Sequence, residues 1–108
     1  MVKRSDRLGS VFHALADRTR RDILRRVAKR PLTIGEIAAS YAMTFAAISK
    51  HLAVLEDAKL VMKRHSGRER LVELSPAMLR DAASYLERYE ALWSGRLDRL
   101  ETYLKDDN

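Results

Sequence analysis

The chain of 108 residues contains no cysteine, only two prolines and only four glycines. Without cysteine it can form no disulfide, no thiolate metal site and no cysteine redox switch. No apolar run approaches the roughly 18 residues that a membrane span requires. The polar start MVKRSDR also lacks the apolar segment of a signal peptide. We therefore expect a cytoplasmic protein with no membrane partner, folded as a single domain over residues 1–108.

Motifs of catalysis are missing as well. The sequence has no glycine-rich phosphate loop, no spacing of metal ligands and no cysteine nucleophile. It also offers no set of serine, histidine and aspartate that the predicted fold would bring together. We predict that the protein is not an enzyme and that it uses no cofactor.

Positive charge is present and is distributed unevenly. Residues 1–70 hold 16 Lys and Arg against 7 Asp and Glu, a balance of +9, whereas residues 71–108 hold 5 against 8, a balance of −3. This asymmetry indicates a polyanion partner for the first two thirds of the chain and a different role for the last third. A surface charged only for solubility is the alternative that charge leaves open.

Apolar spacing predicts four helices in the first half of the chain, at about 5–16, 17–30, 33–40 and from 44 for about eleven residues. Asp17 and Thr44 are the expected N-caps of the second and fourth helices, and Thr33 with Glu36 forms a capping box at the third. The last two helices, joined by the tight YAM connection, have the shape of a helix-turn-helix.

After Lys59 the pattern changes to two strand-like runs, LVMKR and RLVEL, with a turn at Ser66 and Gly67. This pattern predicts a two-stranded hairpin, or wing, over residues 60–74. Ser75 and Pro76 then begin a last helix of about 28 residues, in which Gly95 is too weak a breaker to end the helix.

The last helix carries an apolar stripe that is longer than one small domain can cover. At 1.5 Å per residue this helix is roughly 40 Å long, so we predict that it packs against a second copy of the chain, together with the first helix. The alternative is a monomer whose last helix folds across its own core. The predicted dimer interface consists of Leu8, Val11, Phe12, Leu86, Tyr89, Trp93, Leu97 and Leu100.

Three blocks, ALADRTRRDIL, ISKHLAVLEDAKLV and GRERLVEL, carry a resemblance to a known family. Together they resemble the winged helix-turn-helix of the ArsR-type bacterial repressors, over residues 8–74. The resemblance implies a mainly α fold (α-α-α-α-β-β-α), with a DNA-binding core at 5–74 and a dimerisation helix at 75–105. It also implies a homodimer that binds a palindromic operator in double-stranded DNA, usually as a repressor.

The fourth helix is the expected reading element. Ile48, Leu52 and Leu55 occupy its inward face, which leaves the outward face for the major groove. Many relatives carry Gln or Ser where this chain has Phe45 and Ala46, so we expect contacts with thymine methyl groups and a reading of DNA shape. A core position is the alternative for Phe45. By resemblance, the DNA-contacting residues of this segment are Thr44, Phe45, Ala46, Ala47, Ser49, Lys50 and His51.

The wing supplies the predicted contacts with the DNA backbone. Its basic residues suit phosphates or a narrow A·T minor groove, and a solvated hairpin is the alternative. They are Lys63, Arg64, Arg68 and Arg70. For His51 a local hydrogen bond and a phosphate contact stay equally open, and for Arg20 an internal salt bridge competes with a backbone contact.

The sequence indicates no metal site. Metal-responsive relatives use cysteines in the third helix or Asp and His pairs on the last helix, and this chain has neither, which places it in the non-metal-sensing branch. A small organic effector near Tyr85, Tyr89 and Trp93 stays open, although aromatic residues at helical spacing more often form a dimer core. A protein-binding winged helix and a non-specific DNA coat are the alternatives to a sequence-specific transcriptional regulator.

Overall fold

The computed structural model describes the backbone of residues 4–106 and the side chains of residues 7–92, 94–96 and 98–105. The described helices are α1 (Arg4–Leu15), α2 (Arg18–Lys29), α3 (Ile34–Ala39), α4 (Phe45–Asp57) and α5 (Pro76–Asp106). The described strands are β1 (Leu32–Thr33), β2 (Val61–Ser66) and β3 (Glu69–Leu74). The mainly α arrangement with a hairpin wing is confirmed, with one strand that the sequence did not predict.

The predicted caps fix the starts of α3 and α4. Thr33 Oγ1 accepts from the Glu36 N–H, and the Glu36 carboxylate accepts from the Thr33 N–H, both at 3.0 Å. This backbone hydrogen bond, followed by the Arg30 guanidinium, holds the pKa of Glu36 below its ordinary value. At α4, Thr44 Oγ1 accepts from the Ala47 N–H at 3.1 Å. Both helix starts therefore lie where the sequence placed them.

The wing belongs to a three-stranded antiparallel sheet with the order β1-β3-β2. β1 pairs Leu32 with Val72 and Thr33 with Leu71. A strand of two residues has no alternation of its own, which explains why the pattern of the sequence did not reveal it. Its pairing ties the base of the wing to the segment between α2 and α3.

The turn of the wing lies one residue later than predicted. Ser66 is the last residue of β2 and pairs with Glu69, so Gly67 and Arg68 form the turn. Gly67 has a φ of +63°, a conformation that glycine adopts without the steric cost of a Cβ atom.

One apolar core lies where the first four helices meet the sheet. Its largest fully buried side chains are Val11, Ile23, Ile37, Ile48, Leu52, Leu55, Leu60 and Val72. The assignment of Leu8 and Val11 to the dimer interface is corrected, because both side chains are buried within one chain. They lie in this core because α1 packs on α2, α4 and α5 of its own chain.

α5 leaves the core early and continues into solvent. Ala82 is buried, and Tyr85 is half-buried against Phe12, with ring centroids 6.1 Å apart. α5 has 31 residues, three more than predicted, and the long axis of the molecule measures 58 Å. Its exposed large apolar side chains are Leu86, Tyr89, Leu92, Leu100, Tyr103 and Leu104. The side chains of Trp93 and Leu97, which were predicted at the dimer interface, lie outside the described residues.

No helix within residues 4–106 is both long and apolar enough to cross a membrane.

The end of α4 contains a residue in the left-handed conformation. The Leu60 N–H donates to the Leu55 carbonyl and the Lys59 N–H to the Glu56 carbonyl, both at 3.0 Å, which is a Schellman motif. Lys59 has a φ of +62°. Any residue other than glycine has a steric cost of roughly 1–2 kcal/mol in this conformation, because its Cβ approaches the following carbonyl. The chain therefore turns from α4 into the wing through a strained backbone.

A polar cluster fastens α2 to the connection between α3 and α4. The Tyr41 hydroxyl and Arg26 Nε donate to Asp22 Oδ2 at 2.5 Å and 3.0 Å, and Arg25 pairs with Oδ1. Arg26 also donates to Ser40 Oγ at 3.2 Å. These donors, Tyr41 first, hold the pKa of Asp22 far below its ordinary value, while burial and then the bond to Asp22 raise the pKa of Tyr41 to about 12. The cluster fixes the angle at which α4 follows α3.

Substitution of Lys59 tests the backbone strain. We expect Lys59→Gly to raise the free energy of unfolding by about 1 kcal/mol, because the relief of strain exceeds the extra freedom of glycine in the unfolded chain. Lys59→Ala is the matched control, since it removes the same exposed side chain and keeps the Cβ. Urea denaturation compares the three proteins. A glycine variant no more stable than the alanine variant would show that this turn carries no strain.

Substitution of Asp22 tests the polar cluster. We expect Asp22→Asn to lower the free energy of unfolding by about 1–2 kcal/mol at pH 7, because an uncharged amide replaces the shared acceptor. The folded-state pKa is depressed, so the wild-type advantage is complete above the unfolded value of roughly 3.9 and is lost as the pH falls through the folded value. Denaturation curves should therefore show a constant difference from pH 7 to about 5 and a shrinking one below about 4. A difference that persists unchanged in acid would assign the effect to shape and not to charge.

Candidate nucleic-acid interface

α4 presents an exposed face that begins at its first residue. Phe45 is 62% exposed, which rejects the alternative that it belongs to the core. Ala46 and Lys50 are also exposed, and Ala47 and Ser49 are half-buried. This face therefore combines a ring and methyl groups with one hydroxyl and one ammonium group. Such a surface suits the methyl groups of thymine and offers few donors to base edges.

Thr44 lies at the same end of α4 and is exposed. Its hydroxyl oxygen is occupied by the capping bond to Ala47, but the hydroxyl proton remains able to donate. The first backbone N–H groups of a helix also lack partners within the helix and carry partial positive charge. The start of α4 therefore offers donors that do not depend on long polar side chains.

His51 lies on the flank of α4 that faces α2. Its side chain is 20% exposed, and its Nδ1 lies 3.8 Å from Asp17 Oδ2. Arg20 Nη1 approaches the same nitrogen to 3.3 Å. The local hydrogen bond that the sequence left open is therefore present. A DNA contact of this residue has to use the other ring nitrogen, Nε2.

Arg20 joins α1, α2 and α4. Its Nε donates to the Ala14 carbonyl at 2.8 Å and its Nη2 to the His13 carbonyl at 3.1 Å, so the guanidinium caps the end of α1. Its backbone N–H donates to Asp17 Oδ2 at 3.0 Å, and this bond is the main reason why the pKa of Asp17 lies below its ordinary value. Arg20 therefore has an internal role. The family resemblance favoured an internal salt bridge no less than a contact with the DNA backbone, and the described contacts of the guanidinium are hydrogen bonds to carbonyls and to His51.

Two of the four predicted wing residues have acidic partners in the same chain. Arg64 Nε lies 2.5 Å from Glu73 Oε1, across the hairpin. Lys63 Nζ lies 3.7 Å from Glu56 Oε1, on α4. These ion pairs fix the two side chains against the hairpin and against α4.

The other two wing residues, Arg68 in the turn and Arg70 in β3, are exposed. The part of the chain that the structure describes shows no ion pair for either of them. Arg70 pairs with His65 across the hairpin, and Lys63 pairs with Val72 farther down. Directly paired residues share one face of a hairpin, so Arg70, His65 and Lys63 lie on the same face as the buried Val72.

α2 carries a second basic surface. Arg18, Arg21, Arg25 and Lys29 are exposed, and their spacing of three and four residues places them on one face of the helix. Arg25 is paired with Asp22, and Arg21 donates to the Leu15 carbonyl at 2.7 Å. The sequence analysis noted the arginines of this helix, but helical spacing is the signal that groups them into one surface.

The described side chains include no group of three or more histidine, aspartate or glutamate residues placed to hold a metal ion. His13, His51 and His65 lie on α1, α4 and β2.

Comparison with known proteins agrees with this geometry. A model of a helix-turn-helix domain matches residues 15–64. The HTH-type transcriptional regulator Rv2034 of Mycobacterium tuberculosis is 41% identical over 78 residues, which cover 72% of this chain and 73% of that protein. The transcriptional repressor SdpR of Bacillus subtilis is 29% identical over 79 residues, which cover 73% of this chain and 88% of that protein. The crystal structure of an ArsR family transcriptional regulator, RHA00566, matches with a TM-score of 0.78 at 30% identity, covering 87% of this chain and 97% of that one.

The matched residues 15–64 include the whole helix-turn-helix and end within β2, the first strand of the wing. The structural match covers 87% of this chain, which is more than the helix-turn-helix alone. The resemblance predicted from the three sequence blocks is thereby confirmed. The chain is a DNA-binding transcriptional regulator of the winged helix-turn-helix type and belongs to the ArsR family.

Proposed function

We propose that the protein is a homodimeric repressor that reads a palindromic operator through α4 and the wing. The exposed apolar start of α4 carries this proposal, because Phe45 is 62% exposed although it is the first residue of a helix whose other face is fully buried. Repression is supported by the similarity to SdpR, which is named a transcriptional repressor. In this proposal residues 5–74 bind DNA and residues 75–105 form the dimer.

The outward face of α4 suits an operator half-site with thymines in the major groove. Phe45 and Ala46 would contact thymine methyl groups, and Ala47 allows a close approach of the helix. Ser49 and Lys50 would supply the polar contacts, lysine being able to donate to the O6 and N7 atoms of guanine. With so few donors, part of the specificity would come from DNA shape.

The wing suits the DNA backbone beside the half-site. Arg68 and Arg70 are exposed and lack acidic partners in the described part of the chain. Arg64 uses its Nε for Glu73 and keeps its terminal N–H groups for another acceptor. These side chains would contact phosphates or enter a narrow minor groove.

The exposed stripe on α5 suits a second copy of the chain. Leu86, Tyr89 and Leu100 are each about half exposed in one chain. Their spacings of three and eleven residues are close to one and three helical turns, so they share one helix face. Large contiguous apolar patches on a protein surface mark interaction sites. Tyr85 already contacts Tyr89, with hydroxyl oxygens 3.2 Å apart and ring centroids 5.0 Å apart, which favours packing over an effector site.

The proposal involves no catalytic step and places the protein with its DNA in the cytoplasm. The basic surfaces of α2 and the wing favour it over a protein-binding module, because a module that ignores phosphates has no need of a +9 balance in residues 1–70.

Selection from random duplexes at about physiological salt, which suppresses weak electrostatic binding, tests the whole proposal. We expect a two-fold symmetric motif with half-sites about 10 base pairs apart. The double variant Leu86→Glu with Leu100→Glu should elute as a monomer and bind a single half-site more weakly, because it charges the stripe without touching the core. If the wild-type protein recovers no motif, it coats DNA or binds a protein, and the proposal fails.

Replacement of Lys50 tests the reading face. We expect Lys50→Ala to weaken binding to the selected operator more than tenfold, because the helix loses its only long polar contact on that face. Lys59→Ala is the matched control, since it removes the same charge from a position just beyond the other end of α4. Titration of both variants with operator and with random duplex gives the result. An unchanged operator affinity for Lys50→Ala, or equal losses in both variants, would remove Lys50 from the reading face.

A further inference from the structure

We infer that Arg20 is a positioning residue for DNA binding, because it holds His51 as the neutral tautomer with its proton on Nε2. The flank of α4 then presents one N–H donor to a DNA phosphate. This inference rests on the proposed function, since it assumes that α4 lies in the major groove.

The tautomer follows from what each group can donate. A guanidinium has five N–H donors and no acceptor. Arg20 Nη1 lies 3.3 Å from His51 Nδ1, so Nδ1 has to accept and cannot carry a proton. In a neutral imidazole the proton then lies on Nε2. Asp17 Oδ2 lies 3.8 Å from Nδ1, which is beyond hydrogen-bond distance, whereas it accepts from the Arg20 N–H at 3.0 Å.

Arg20 cannot easily turn away from the ring. Its Nε and Nη2 donate to the carbonyls of Ala14 and His13, at 2.8 Å and 3.1 Å. Because the guanidinium is planar, these two bonds also fix the direction of Nη1. The end of α1 therefore determines the orientation of an imidazole on α4, which lies 31 residues after Arg20 in the sequence.

His51 Nε2 is accessible to solvent. No buried side-chain nitrogen or oxygen in the described part of the chain lacks a hydrogen-bond partner. The structure shows no partner for Nε2 there, so this atom is not fully buried, and the side chain as a whole is 20% exposed. His51 follows Ser49 and Lys50 on α4 but lies on the flank of the helix, where the groove wall and not the base edges would meet it. The acceptor that fits this position is a phosphate oxygen.

A neutral donor differs measurably from a charged one. A protonated ring would place an N–H on Nδ1, directed at the guanidinium 3.3 Å away. Two N–H groups would then face each other, and the geometry of the contact fits a ring that accepts at Nδ1. Only charged side chains release counterions from DNA, so a contact through a neutral N–H adds affinity without steepening the salt dependence.

Three variants of His51 test the contact. Glutamine can place an amide N–H near the position of Nε2, whereas asparagine places it near Nδ1 and leucine offers none. We expect His51→Gln to bind the operator within about threefold of the wild type, and His51→Asn and His51→Leu to bind about tenfold more weakly. Arg68→Ala serves as the charged comparison. It should lower the slope of log K against log salt by about one, whereas the His51 variants should leave the slope unchanged.

Nitrogen NMR of the imidazole tests the role of Arg20 directly. We expect the free wild-type protein to show a protonated Nε2 and an unprotonated Nδ1. Arg20→Lys should show a mixture of tautomers, because a lysine ammonium cannot reach all three acceptors in the fork geometry of a guanidinium. Circular dichroism shows whether the variant is folded. If the variant does not fold, the wild-type spectrum still decides the tautomer, and the His51 variants still decide the DNA contact.

The outcomes separate this inference from the proposed function. A wild-type protein that recovers no operator contradicts the proposed function, while the spectrum still decides the tautomer. An operator that His51→Leu binds as tightly as the wild type overturns the inference and leaves the proposed function intact. A protonated Nδ1 in the wild-type spectrum, or a salt slope that falls by about one in His51→Leu, also overturns it.

Discussion

Ile48, Leu52 and Leu55 are fully buried, and the fold around α4 depends on them. Each such side chain contributes about 1.5–3 kcal/mol when it is removed from water. Because the three residues share one face of a 13-residue helix, their burial forces the opposite face into solvent. The exposure of Phe45, Ala46 and Lys50 is therefore a consequence of the core. The surface that we assign to DNA is the face of α4 that does not pack against the core.

Apolar burial alone does not fix the rotation or the angle of a helix, because it has no direction. Hydrogen bonds do, and two side chains of α2 supply them. Asp22 holds Tyr41 in the connection that leads into α4, and Arg20 holds His51 on α4 itself. Since hydrogen bonds weaken steeply when they are misaligned, the two clusters resist rotation of α4 about its axis. Such rigidity suits a helix whose few contacts must meet particular base pairs.

The sequence predicted those features that depend on local spacing. The caps at Thr33 and Thr44, the inward face of α4 and the start of α5 at Pro76 were visible as short patterns. β1 was missed because two residues cannot show alternation. Features that depend on distant parts of the chain were also missed. A spacing of three and four residues shows that α1 has an apolar face, but not whether its own core or a partner covers it, and for this reason Val11 was misplaced.

In the candidate site, too, local patterns predicted some features, and others depend on contacts between distant parts of the chain. Residue types and helical spacing indicated a basic wing and a reading helix with an apolar start. They could not show that Arg64 forms an ion pair with Glu73, because that pair depends on the register of the hairpin. Nor could they show that Arg20 reaches His51, since two helices have to pack before these residues meet. Ion pairs and tautomers are properties of the packed structure.

The sparse chemistry of α4 would give the proposed dimerisation a physical purpose. Each mismatched base pair costs a DNA-binding protein about 1–3 kcal/mol, and a face with one hydroxyl and one ammonium group discriminates few positions. Basic surfaces such as those of α2 and the wing attract any duplex, so they raise affinity without improving the ratio of specific to non-specific binding. Two copies joined through α5 would read two half-sites, and the discrimination energies of well-separated positions add. In the proposed dimer the long α5 would therefore raise specificity without adding polar contacts to α4.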